Sequence, residues 1–404
     1  MAVDLLDHEV SDLCLGKPAL RSLSISATIE DALSALKLTG ENHLSVWSCD
    51  HSKSDEGEFG GDCVCVGKVC MVDVMCFLAR EENRANPMLA MKSPVSMVVS
   101  EGSGVVRHVE AYTSLVEVID FILEGAQNLI VPIDSRTSFN SRKKQLQKAL
   151  FGPTLHNGRE YCWLTQEDVI RYLLSLIGLF SPFPALSIET LGIIGTEIQA
   201  VEYHSQATSA IDAISDALTQ QTSVAVVNED GKLIGEISPF TLASCDETVA
   251  AAITTLSSGD LMAYIDCGGP SEDVVNVVKE RLIEKELDEM LGLLEQLSLS
   301  SSSSSSSLLS SSSCSSDEEF GLSPSTTLPS TTRWGRYSRS SSYSARMVRR
   351  SEAIVCHPRS SLVAVMIQAL THRVNYVWVI EDDYSLAGIV TFSDMLRVFR
   401  EHLQ

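Results

Sequence analysis

The chain is short of positive charge: 30 Lys and Arg stand against 53 Asp and Glu in 404 residues, a net of -23. A field of that sign repels a polyanion, which argues against DNA or RNA as the main partner. Paired cysteine spacing is missing as well. The 11 cysteines are scattered, odd in number and without a Cys-x-x-Cys pair. That excludes a disulfide framework and reads as reduced thiols in an intracellular compartment. No basic leader opens the chain, because Met1-Ala-Val-Asp-Leu-Leu-Asp-His-Glu is acidic, unlike a secretory or transit peptide. The longest apolar run, Tyr172 to Leu186, is interrupted by Pro182 and Pro184. It falls short of the ~20 apolar residues a membrane span needs. A soluble cytoplasmic protein is expected, with the nucleus as a second compartment. Catalytic motifs are lacking too: there is no Gly-x-x-x-x-Gly-Lys-Ser/Thr, no His-Glu-x-x-His and no Gly-x-Ser-x-Gly. The expectation is a protein that is not an enzyme.

What is present is a repeat. Gly388-Ile-Val-Thr-Phe-Ser-Asp394 has weaker copies at Gly67-Lys-Val-Cys-Met-Val-Asp73, Cys162-Trp-Leu-Thr-Gln-Glu-Asp168 and Gly235-Glu-Ile-Ser-Pro-Phe-Thr241. Each follows a β-like run and opens a helix-like run. Upstream of each lies another helix pattern, over 28–36, 113–122, 207–218 and 360–370, with a Ser or Thr near its start and apolar residues at three- and four-residue spacing. Short β-branched runs follow at Leu44–Trp47, Leu129–Ile133, Val224–Val227 and Val377–Ile380. The predicted unit is strand, helix, strand, strand, helix.

The units cover 24–80, 105–174, 198–262 and 352–401, after an N-terminal segment 1–23. One such unit is marginal alone, so the first should pair with the second and the third with the fourth. A helix is predicted over 271–297, capped by Ser271 and apolar at Val274, Val278, Leu282 and Met290. A Ser/Arg-rich stretch, 298–350, is too polar to offset its ordering entropy and is expected to be disordered. Its Arg333 to Arg350 part reads as a solvated linker; phosphorylation among the arginines and a nuclear-import patch are the sharper alternatives. Cys49-Asp-His51 with Cys63-Val-Cys65 lacks the spacing of a zinc site, and no metal is assigned to it.

The unit ending in Gly-x-hydrophobic-Thr/Ser-x-x-Asp resembles the CBS (cystathionine β-synthase) domain. Four in tandem are similar to the gamma regulatory subunits of the AMP-activated protein kinase class, and the layout with a Ser-rich insert before the last repeat resembles the plant CBSX-type proteins. The resemblance implies an α/β fold of four β-α-β-β-α repeats in two paired modules. It also implies a regulatory, energy-sensing role without catalysis, adenosine nucleotides as ligands, and protein kinase catalytic and beta subunits as partners. Carried over by position, the motif acid contacts ribose hydroxyls and the motif hydroxyl contacts phosphate. That points to Thr391 with Asp394 and Thr165 with Asp168, then to Asp73, whose repeat has Cys70 at the hydroxyl position, and to Ser238, whose repeat has Thr241 at the acid position. The bland reading of the same pairs is helix capping. The family's basic phosphate clamp is largely missing: Asn375 and Tyr376, Asn128 and Leu129, and Thr222 and Ser223 occupy its positions. Only His43 offers a cation there. The expectation is weak adenosine-type binding, against the alternative of a ligand-free interaction scaffold.

Overall fold

The computed structural model describes residues 8–49, 63–99, 106–133, 155–265, 272–303 and 352–402, with side chains to 295 in the fifth span. The cap Ser271 and nearly all of the Ser/Arg-rich segment lie outside them. Four three-stranded sheets recur along the chain: β1 (Ser22–Ser24), β2 (His43–Trp47) and β3 (Cys65–Cys70); β4 (Val106–His108), β5 (Asn128–Ile133) and β6 (Glu160–Thr165); β7 (Ala200–Glu202), β8 (Val224–Val227) and β9 (Leu233–Ile237); β10 (Val355–Cys356), β11 (Tyr376–Ile380) and β12 (Leu386–Thr391). In each sheet the first strand runs parallel to the second and the second antiparallel to the third. A parallel pair needs a crossover, and a helix supplies it each time: Ile29–Thr39, Leu115–Leu123, Ile211–Gln220 and Leu362–His372.

The crossover helices begin where short polar residues can hold the free amides of a first turn. Thr28 with Asp31 and Ser114 with Glu117 form reciprocal capping boxes, and Ser361 accepts from the Ala364 amide. Ala210 has no such side chain, and there a 3-10 turn at Ala207–Ala210 leads in. The helix after the third strand is long in repeats 1, 2 and 4 (Met71–Ala79, Gln166–Ser175, Phe392–His402) but broken in repeat 3 into Pro239–Leu242 and Val249–Thr255. At its start Thr241 stands where an acid would accept from the cap residue's amide, and Ser238 makes no cap bond.

Sheets pack on sheets and helices on helices, in different pairings. Trp47, Cys63 and Cys65 of repeat 1 share a core with Ile130, Tyr161 and Trp163 of repeat 2. Tyr376 and Trp378 of repeat 4 reach Glu236 of repeat 3 in the same way. The helix layers cross-connect these pairs. Val74, Met75 and Leu78 pack with Ile211, Ile214 and Ala250 to Ile253, joining repeats 1 and 3. Val118, Ile119 and Ile170 pack with Met366, Met395 and Phe399, joining repeats 2 and 4. The four units therefore close on themselves through two sheet contacts and two helix contacts. Among the described residues no helix is long and apolar enough to cross a membrane.

The stretch 271–297, expected as one helix, is two: Glu272–Glu284 and Asp288–Ser303. Glu286 takes a left-handed conformation (φ 55°), and Leu287 N–H bonds to Leu282 O at 3.0 Å. That is a Schellman closure, with buried Leu287 and Leu282 giving its apolar contact. The second helix runs through 298–303, into the serine tract, because extending a helix is far cheaper than starting one.

Candidate functional site

Thr165 and Asp168 stand where β6 turns into the helix Gln166–Ser175. Thr165 donates from Oγ1 (2.7 Å) and from its amide (2.8 Å) to Asp168 Oδ2, and the Asp168 amide returns a bond to Thr165 Oγ1 at 3.3 Å. The capping interpretation therefore holds for this pair, and it coexists with a further contact. Lys17, from the segment before β1, donates to Asp168 Oδ2 and to Trp163 O (the latter 2.9 Å). The segment is held there by backbone: Val10 N–H to Thr113 O, Ser11 N–H to Ala111 O (both 2.9 Å) and Leu20 N–H to Tyr161 O (2.8 Å).

Thr391 and Asp394 repeat the capping geometry, with Thr391 Oγ1 at 2.6 Å from Asp394 Oδ2, and Arg397 occupies the other carboxylate oxygen at 3.2 Å. Asp73 accepts the Cys70 amide at 2.8 Å. Burial raises its carboxyl to about 6, partly offset by the Cys70 hydrogen bonds and by Lys68. Ser238 is buried, with its hydroxyl 3.4 Å from Tyr376 Oη.

The two sheet-to-sheet clefts differ in the residue that follows the motif's first position. In repeat 1 it is Lys68, which donates to Asn128 Oδ1 of repeat 2 at 3.2 Å. Asn128 pairs in register with Thr165, so Lys68 and Lys17 flank the same helix start. In repeat 3 the equivalent residue is Glu236, which is 1% exposed. Its carboxylate accepts from Tyr376 Oη at 3.0 and 2.9 Å and from Trp378 Nε1 at 2.8 Å. Those aromatic rings and that carboxylate fill the cleft between repeats 3 and 4, and a buried carboxylate repels phosphate. Amides link the repeats near these clefts: Asn375 donates to Gln221 Oε1 (2.6 Å), Gln221 to Gln127 O (2.7 Å) and Gln166 to Gln127 Oε1 (2.9 Å).

His43, the one cation expected at a clamp position, is held down to about 4 by burial and by the neighbouring Lys68 charge. It is neutral at pH 7. Lys68 itself is lowered by burial, against the opposing pull of Cys70 and Asp73. Lys17, Lys68, Glu236 and Trp378 were not singled out from sequence. Lys68 and Glu236 had a signal, each being a charged residue inside an apolar strand directly after the motif glycine. Lys17 had none, since it meets Asp168 across 151 residues.

The structure also brings Cys49 and Cys63 together with His156, a residue of another repeat that spacing could not connect to them.

A CBS domain model matches residues 345–401. The chain is 48% identical to the CBS domain-containing protein CBSX5 of Arabidopsis thaliana, covering 100% of this chain and 99% of that one. It is 20% identical to the SNF1-related protein kinase regulatory subunit gamma-like PV42b of the same plant, over 99% and 96% of the two chains. Among solved structures, protein MJ1225 of Methanocaldococcus jannaschii, described as a putative archaeal homolog of gamma-AMPK, superimposes with a TM-score of 0.52 at 14% identity, covering 97% of this chain and 100% of that one.

Proposed function

The chain belongs to the CBS domain-containing proteins of the CBSX type, and we propose that it is a non-catalytic regulatory protein with two sheet-paired modules of unequal duty. The module of repeats 1 and 2 takes an adenosine-type ligand weakly, at Thr165 and Asp168. The module of repeats 3 and 4 is a structural half whose cleft is closed by its own side chains. The observation that carries this reading is the setting of Asp168. A capped carboxylate stands at a helix start with Lys17 on it and Lys68 one hydrogen-bonded residue away. Ribose hydroxyls suit the carboxylate once Lys17 leaves it, and a phosphate suits the helix start and Lys68.

Lys17 gives the site a mechanism. It occupies the acid that a ribose would use, so ligand and N-terminal segment compete for Asp168. A ligand that prefers the state without Lys17 shifts the population toward a released segment, and a partner reading that segment senses the change. A protein kinase complex is the partner class that fits the gamma-like relatives; affinity capture of the full chain that recovers no kinase catalytic or beta subunit counts against that part. Calorimetric titration with adenosine, AMP, ADP and ATP tests the site itself, and no heat at millimolar ligand removes it. Substituting Lys17→Ala should tighten adenosine by about tenfold, since a hydrogen bond to a charged group contributes ~1.5–3 kcal/mol.

The closed Glu236–Tyr376–Trp378 cleft favours a second reading, in which both modules are an interaction scaffold without ligand. A null titration together with partner capture supports it.

A further inference from the structure

We propose that Cys49, Cys63 and His156 form a binding site for one zinc-class divalent cation, which staples repeat 1 to repeat 2. The donor atoms of the three lie within 4.8 Å of one another. Cys49 Sγ and His156 Nδ1 are 3.2 Å apart, close to the ~3.5 Å that separates S and N donors around a tetrahedral zinc with bonds of ~2.3 and ~2.0 Å. Two thiolates and one imidazole are the donor chemistry of zinc rather than of calcium or magnesium.

The setting is built around the imidazole. His156 is 2% exposed and lies flat on the Trp47 indole, with ring centroids 3.6 Å apart and planes at 3°. Its far nitrogen, Nε2, sits 2.8 Å from Ser22 Oγ. With the Nε2 proton on that hydroxyl, Nδ1 presents its lone pair to the two sulfurs, which is how a metal-binding histidine is normally oriented by an outer partner. His156 opens a tight turn in which Asn157 and Gly158 have φ of 50° and 74°, closed by paired His156 and Arg159 amides at 3.0 Å. The Asn157 side chain then clamps the Cys63 backbone at both ends, accepting from its amide (3.0 Å) and donating to its carbonyl (3.1 Å). Cys65, the neighbouring thiol, is committed elsewhere, to Gly67 O at 3.3 Å.

Cys63 is buried and Cys49 half-buried; among the described residues these two and His156 supply three donors, and a tetrahedral zinc takes a fourth. Binding converts both thiols to thiolates and releases two protons to solvent for each ion bound. A Cys49–Cys63 disulfide is the competing use of the same sulfurs. It leaves unexplained why a buried imidazole, held on both its face and its far nitrogen, points into the pair.

The full chain, purified under reducing conditions, is equilibrated with zinc, dialysed, and assayed for metal and for thiol alkylation by mass spectrometry; a parallel sample is loaded with cobalt(II). We expect one zinc per chain, Cys49 and Cys63 protected from alkylation by zinc while Cys245 is not, and the cobalt spectrum of a tetrahedral site with thiolate charge transfer. Cys63→Ser and His156→Ala should each weaken zinc at least tenfold, and Ser22→Ala should weaken it less. The cobalt spectrum is read on the unaltered chain, so it stands even if a variant fails to fold. A cobalt spectrum without thiolate charge transfer, zinc retention equal in the unaltered chain and both variants, or Cys49 and Cys63 recovered as a mutual disulfide that zinc does not prevent overturns the proposal.

Discussion

Gly388 shows what the motif glycine does in the fourth repeat. Residues 194–195 cross over β12, with Gly195 N–H bonded to Ile389 O at 2.8 Å and Ile389 N–H returning to Gly195 O at 2.9 Å. A Cβ at Gly388 would stand 2.7 Å from Gly195 O and strike the Ile194 side chain. Backbone cannot yield there, so Gly388→Ala should cost about 1–3 kcal/mol in urea unfolding. A loss below about 0.5 kcal/mol would show that the crossing segment moves freely. His43 makes a second prediction at this scale. Its imidazole is lowered to about 4 in the folded chain, so between pH 6.5 and 4 the unfolded chain binds the extra proton and stability falls as pH falls. Asp73, raised to about 6, works the other way: between about pH 6 and 4 the folded chain holds the extra proton, and acidification favours folding. Replacing His43→Gln should therefore make the melting temperature hold up better between pH 7 and 5 than in the unaltered chain, with Asp73 then governing the slope. An unchanged pH profile would remove the assignment.

At the scale of the element, hydrophobic burial outweighs charge at the helix contact between repeats 2 and 4. Arg400 forks onto Asp120 at 2.6 and 3.1 Å, but both side chains are about a third exposed, a setting in which an ion pair contributes only ~0–1 kcal/mol. Phe399 is fully buried between Phe180 and Phe183, with centroids at 5.0 and 5.2 Å. Phe399→Ala should cost about 3–5 kcal/mol and Asp120→Ala less than about 1 kcal/mol, both read from denaturant midpoints. The reverse order would mean the contact is electrostatic. These elements were legible in the sequence because their signals are local. Thr28, Ser114 and Ser361 announced their helices, and the apolar spacing that follows gave the buried faces. The Schellman turn at Glu286 was not legible, since nothing but its backbone conformation marks a Glu as a helix end.

Across the whole molecule, the repeats hold similar backbones and different clefts. What separates the clefts is one position, Lys68 in repeat 1 and Glu236 in repeat 3, together with a lysine brought from the N-terminal segment. Sequence placed Thr165, Asp168, Thr391 and Asp394 at helix starts. It could not show that Lys17 reaches one of those acids and Arg397 another, or that His156 meets Cys49 and Cys63, because those contacts exist only once the repeats have closed on each other. Unequal clefts predict unequal responses to the same change. The most direct measurement is the stoichiometry of AMP binding to the unaltered chain and to Asp168→Ala and Asp394→Ala variants, each checked for folding by its melting curve. We expect one weak site per chain, lost in Asp168→Ala and unchanged in Asp394→Ala. Binding that survives Asp168→Ala, or that disappears with Asp394→Ala alone, would contradict the assignment of the ligand to the first module.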